Sequence, residues 1–177
     1  MFFCFGYCVF GLMVHIAPHS IDLVFSAASA ANILAVVGGL SIAGKILLGK
    51  VADIIGNRKI FIFGFSMISV VLFCLVPAKT VWLLYFLSGL FGFSYGGIAA
   101  SESPLVAFLF GLRYLGLILG AAAAGFTIGG ALGPWLIGYI FDVTDSYRLA
   151  FIICGAISFT GLILTLILDT KPNRSLV

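Results

Sequence analysis

Gly49-Lys50-Val51-Ala52-Asp53-Ile54-Ile55-Gly56-Asn57-Arg58-Lys59 is a charged interruption between two long apolar runs. Charge at the centre of a bilayer is costly, so Lys50, Asp53, Arg58 and Lys59 place this stretch among headgroups or in water. Gly49 and Gly56 would allow close packing and a sharp reversal, and the stretch is expected to be a tight turn at a membrane surface. Asp53 could accept hydrogen bonds there from backbone N–H groups at a neighbouring helix start. About one helical turn earlier, Lys45 is a cation still inside the apolar run.

The rest of the chain agrees with a membrane setting. Of its 177 residues 63% are hydrophobic and 8% charged, too little polar surface to cover a soluble globule. Runs of about twenty apolar residues, each able to cross a ~30 Å hydrocarbon core, recur along the chain. The expected class is all-α: one transmembrane domain over 1–177, a polytopic bundle with spans near 2–17, 27–50, 60–76, 81–101, 116–141 and 149–168 and a tail over 169–177. The first run is short and lacks both a basic start and a small-residue cleavage site. It is therefore expected to be a transmembrane helix that has lost its beginning, ended by Pro18, with Met1 an internal start. The brief link Pro77-Ala78-Lys79-Thr80 forces an antiparallel hairpin. Pro104 to Leu115, with Arg113, reads as an interfacial connection, helical in part.

A net charge of +3 does not suggest nucleic acid. With six spans, Lys50, Arg58, Lys59, Arg113, Lys171 and Arg174 fall on one side and Lys79 and Arg148 on the other. The positive excess predicts that the first side is cytoplasmic, giving a multi-pass protein of the cell (inner) membrane with both termini inside. Cys4, Cys8, Cys74 and Cys154 all lie in apolar runs and read as packing residues. Gly116 and Gly120, then Gly125, Gly129 and Gly133, recur at four-residue spacing ahead of Pro134. Such a stripe lets helices approach closely and suits a helix that must bend.

Candidate chemistry centres on Lys45. Leu34, Gly38, Ser41 and Lys45 share one helical stripe, whose small and polar residues suit lipid poorly. One reading is an intramembrane cation awaiting an anion; the other is a long stem snorkelling toward Lys50 and Asp53 at the interface. In the fourth run Tyr85, Ser88, Gly92, Tyr95, Ala99 and Glu102 form a second polar stripe, with Leu83, Phe86, Leu90 and Phe93 on the other side. Lys45, Ser41, Tyr85, Ser88 and Tyr95 are thus the candidate substrate contacts. The second, fourth and fifth spans are expected to share a cavity, with the charge-free third and sixth outside it. His15, His19 and Asp22 superficially resemble metal ligands, but Pro18 interrupts the helix their spacing needs, so a polar outer turn is expected instead. No nucleophile elbow, phosphate loop or catalytic carboxylate pair is present, so no enzyme, cofactor or metal is expected.

Gly49-x-x-x-Asp53-x-x-Gly56-x-Arg58-Lys59 resembles the loop signature of the major facilitator superfamily, which joins the second and third helices of each half. It departs at Ile54, where the family usually has a basic residue. The six spans, the Asp22 loop and the basic tail resemble the C-terminal half of a twelve-helix member. More narrowly, Lys45-x-x-x-Gly49-x-x-x-Asp53 is similar to the helix-eight pattern of monocarboxylate and oxalate/formate carriers, where an Arg at the first position binds the substrate carboxylate. Met13-Val14-His15-Ile16 to Asp22, and Glu102-Ser103-Pro104 through Phe110-Gly111 to Gly116, resemble bacterial members of that group.

The resemblance implies a secondary transporter, or its C-terminal half, moving a small organic anion by alternating access. A monocarboxylate fits better than a dicarboxylate, because the fifth span lacks the Lys that oxalate carriers use. Symport and antiport both stay open. The implied partners are the lipid bilayer and an N-terminal six-helix half or another copy. The alternative is a non-transporting membrane fragment, or a half-module that pairs with another chain.

Overall fold

A computed structural model of the chain describes residues 1–168; the expected tail over 169–177, with Lys171 and Arg174, lies outside the described residues. Six helices follow in order: α1 (Phe2–Asp22), α2 (Ala27–Ile55), α3 (Asn57–Leu75), α4 (Val81–Phe110), α5 (Leu115–Thr144) and α6 (Tyr147–Ile167). All six are long and apolar enough to cross a membrane. Their starts carry local signals: the Ser26 side chain accepts from the Ser29 N–H at 3.2 Å, and Ser146 accepts from the Arg148 N–H at 3.3 Å.

The helices outrun the apolar runs. α1 passes through Pro18 and ends at Asp22, which corrects the expected early stop. A proline so near a helix end removes one backbone bond and leaves the remaining turn intact. At 21 residues α1 is ~31 Å long, a full span. Pro104 is likewise carried inside α4, and the expected interfacial connection is helical as far as Phe110. The polar stretch 49–59 is mostly helical too. α2 is 29 residues, ~44 Å and so longer than the hydrocarbon core, and Lys50 and Asp53 sit on its projecting end. The reversal is confined to Gly56, whose φ of 95° is a conformation that L side chains rarely adopt. Gly49 is not needed for close packing: a Cβ there would be 3.8 Å from Ala100, an ordinary contact.

α2 packs along α4, α1 along α5, and α3 against both α4 and α6. Phe5, Phe61, Phe65, Phe91 and Phe151 fill the shared core and are fully buried. Ser69 Oγ donates to the Gly155 carbonyl and Ser158 Oγ to the Phe65 carbonyl, each at 3.1 Å, knitting α3 to α6. The closest approaches are made by glycine. A Cβ at Gly44 would land on the Phe93 carbonyl, one at Gly96 on the Ser41 carbonyl, and one at Gly129 on the Phe3 carbonyl. α2 and α5 bury the smallest shares of their apolar windows. Most of the apolar surface of α2 and α5 is thus left uncovered within the described residues, and α3 supplies core.

Candidate functional site

The candidate residues gather on the α2–α4 seam, because glycines on both helices bring the two backbones together. Gly92 meets the backbone of Val37, and a Cβ at Gly96 would also be 3.0 Å from the Lys45 nitrogen. Lys45 is thus held by its main chain against α4 while its side chain is exposed at the edge of the seam. Ser41 beside it is buried and donates to the Gly38 carbonyl of its own helix at 2.7 Å. The Tyr85 hydroxyl donates across the seam to the Ser29 carbonyl at 3.3 Å. Ser88 is fully buried, with no hydrogen-bond partner for its hydroxyl. Tyr95 turns toward α1, its ring 5.9 Å from that of Phe5.

The seam therefore brings Lys45, Ser41 and the tyrosines onto neighbouring helices, but not around one point within this chain. Beside Tyr85 lies a shallow groove of about 270 Å³ lined by Leu40, Tyr85, Phe86, Gly89, Leu90 and Phe93, which is apolar and does not include Lys45. An exposed ammonium can recognise an anion. It offers no nucleophile paired with a base.

Two contacts escape the sequence stripes. His15 Nε2 donates to the Pro134 carbonyl at 2.9 Å, joining α1 to α5 at the α5 proline. Gly138 lies beside the imidazole, where a Cβ would be in ordinary contact, 3.6 Å from His15 Cε1. The signal in the sequence was Pro134 followed one turn later by glycine. His19 is buried against Tyr147 and Phe151, with ring centroids 5.3 and 5.0 Å away. His15 and His19 are consequently helix-packing residues, which corrects their reading as parts of a polar outer turn.

The signature loop works through its arginine. Arg58 Nε donates to the Thr165 carbonyl at 3.2 Å and its Nη2 to the Leu166 carbonyl at 2.6 Å, tying the start of α3 to the end of α6. Asp53, by contrast, is exposed at the end of α2. Cationic donors complement the carbonyl end of a helix. Arg58→Gln is expected to cost about 1–2 kcal/mol, read as a lower unfolding midpoint in detergent and faster amide exchange in the last turn of α6. Unchanged exchange there would show that the contact holds nothing.

The links of the bundle sort into two ends. Asp22, Lys79, Asp145 and Arg148, from the α1–α2, α3–α4 and α5–α6 links, line one pocket of about 120 Å³. The α2–α3 turn and the end of α4 line another at the opposite end. Six antiparallel spans with this signature turn at one end match the Major Facilitator Superfamily model over residues 1–177.

The chain belongs to the major facilitator superfamily.

As a superfamily member it is a multi-pass membrane protein, and its six helices correspond to half of the superfamily fold. It is similar to monocarboxylate transporter 14 of Mus musculus, 34% identical over 131 residues covering 72% of this chain and 25% of that protein. It is also similar to monocarboxylate transporter 12 of Mus musculus, 26% identical over 168 residues covering 92% of this chain and 35% of that protein. The uncharacterized MFS-type transporter YcxA of Bacillus subtilis is 27% identical over 139 residues, covering 74% of this chain and 33% of that protein. The chain thus spans about a quarter to a third of the length of these relatives.

Proposed function

We propose that the chain is the C-terminal half of a secondary transporter, rather than an enzyme, and that it moves a small monocarboxylate by alternating access. The observation that carries this reading is the Lys45 side chain, exposed beside the α2–α4 seam on a helix with much of its apolar surface uncovered. A second six-helix half, or another copy, seated on α2 and α5 would turn that face into the wall of a midplane cavity. There the ammonium pairs with the substrate carboxylate.

The signature residues Gly49, Asp53, Gly56, Arg58 and Lys59 form the hinge end of this half, placed at the cytoplasmic face by the excess of positive residues there. Arg58 holds α3 to α6 so that they move as one body. In proteoliposomes carrying both halves, a labelled short monocarboxylate is expected to accumulate and to be displaced by unlabelled monocarboxylates but not by oxalate. Equal displacement by oxalate would remove the monocarboxylate assignment; absence of uptake with correct insertion would remove transport.

A further inference from the structure

One pocket lies away from Lys45, at the end of the bundle where the α2–α3 turn meets the end of α4. It holds about 370 Å³, within the range of small-molecule sites, and its lining changes character with depth. Asn57, Arg58 and Lys59 form the outer part, and Ile62, Leu105 and Phe108 contribute apolar wall. Ile62 is about 6 Å deeper along α3 than Arg58, at 1.5 Å per residue. Both charged side chains in the lining are cations. Leu105 is buried, whereas Phe108 is 53% exposed and leaves that wall open at the bundle surface.

We propose that this pocket binds an anionic phospholipid, its phosphodiester held by Arg58 and Lys59 and its first acyl carbons lying on Ile62, Leu105 and Phe108. The Arg58 guanidinium is already held by its bonds to α6 through Nε and Nη2, and its Nη1 takes part in neither. A guanidinium so fixed presents a pre-oriented donor to a phosphate oxygen. Lys59 is exposed and adds a point charge. The apolar wall selects a lipid over a free phosphate, which would leave that surface wet. The paired cations select an anionic headgroup over choline, whose own positive charge they repel. Basic pockets between transmembrane helices at the headgroup level are suited to such lipids. The site goes beyond the transport reading: its ligand is a constituent of the bilayer, and it shares no residue with the substrate contacts around Lys45.

The test is native mass spectrometry of the purified chain in detergent, titrated with phosphatidylglycerol or phosphatidylcholine, with glycerol 3-phosphate as the soluble competitor. Phosphatidylglycerol is expected to bind at least about fivefold more tightly than phosphatidylcholine, and Lys59→Gln to remove roughly fivefold of that preference while leaving phosphatidylcholine unaffected. Ile62→Trp, which fills the apolar part from a half-buried position, is expected to weaken phosphatidylglycerol binding with both cations intact. Glycerol 3-phosphate is expected not to compete. Equal affinity for the two lipids, an unaltered Lys59→Gln preference, undiminished binding by Ile62→Trp, or full competition by glycerol 3-phosphate would each overturn the lipid assignment.

Discussion

Lys45→Gln is expected to abolish uptake of a labelled monocarboxylate, a loss on the order of a hundredfold, while membrane insertion is unchanged. An anion stripped of its hydration in a cavity needs a compensating charge, and removing one partner of such a pair typically costs at least ~2–5 kcal/mol. Gln is one bond shorter and keeps some hydrogen bonding but not the charge, so the substrate carboxylate is left buried and unpaired. Lys45→Arg is expected to retain uptake, since it preserves the cation and adds a planar fork suited to a carboxylate. The measurement is initial uptake rate in proteoliposomes against the amount of inserted protein. Normal rates in Lys45→Gln would return Lys45 to a snorkelling role and leave the proposed site without its central residue.

Gly44→Leu and Gly129→Leu are expected to be the most damaging substitutions for stability. The atoms in the way are main-chain: the Phe93 carbonyl on α4 for Gly44, and the Phe3 carbonyl on α1 for Gly129. A helix backbone cannot rotate aside as the tip of a side chain can, so each helix pair must separate along its length. The expected cost is about 3 kcal/mol or more, at or beyond the upper end of ordinary overpacking, and the readout is the unfolding midpoint in detergent. Gly120→Ala is the control, because nothing lies within 4 Å of a Cβ there. It is expected to leave the midpoint unchanged or to raise it slightly, as alanine favours the helix by up to about 1 kcal/mol. A midpoint for Gly129→Leu equal to that of Gly120→Ala would mean that α1 and α5 do not approach as described.

These glycines mark a limit of the linear pattern. Gly116, Gly120, Gly125, Gly129 and Gly133 read as one stripe at four-residue spacing, yet only its later members meet a neighbouring backbone. Gly129 lies against Phe3 and Gly133 against Tyr7, whereas Gly116 and Gly120 face open space. Lys45 shows the same limit. Its spacing with Ser41 placed both on one stripe, but the position of α4 buries Ser41 and leaves the Lys45 side chain exposed.

Hydropathy alone was enough to place this chain in a membrane as six helices, because a backbone in hydrocarbon must satisfy its own hydrogen bonds and a run of about twenty apolar residues has few other options. The Gly49-to-Lys59 signature carried the family for a related reason: a charged reversal between two spans leaves its mark in consecutive residues. Helix ends were less legible, since Pro18 looks like a stop in isolation but sits where a helix continues. Which helices pair, which glycines touch and where Arg58 reaches were decided only by the tertiary structure. Those contacts join residues far apart in the chain, as His15 and Pro134 are, 119 positions apart, and depend on the fit of two surfaces that no single helical stripe contains.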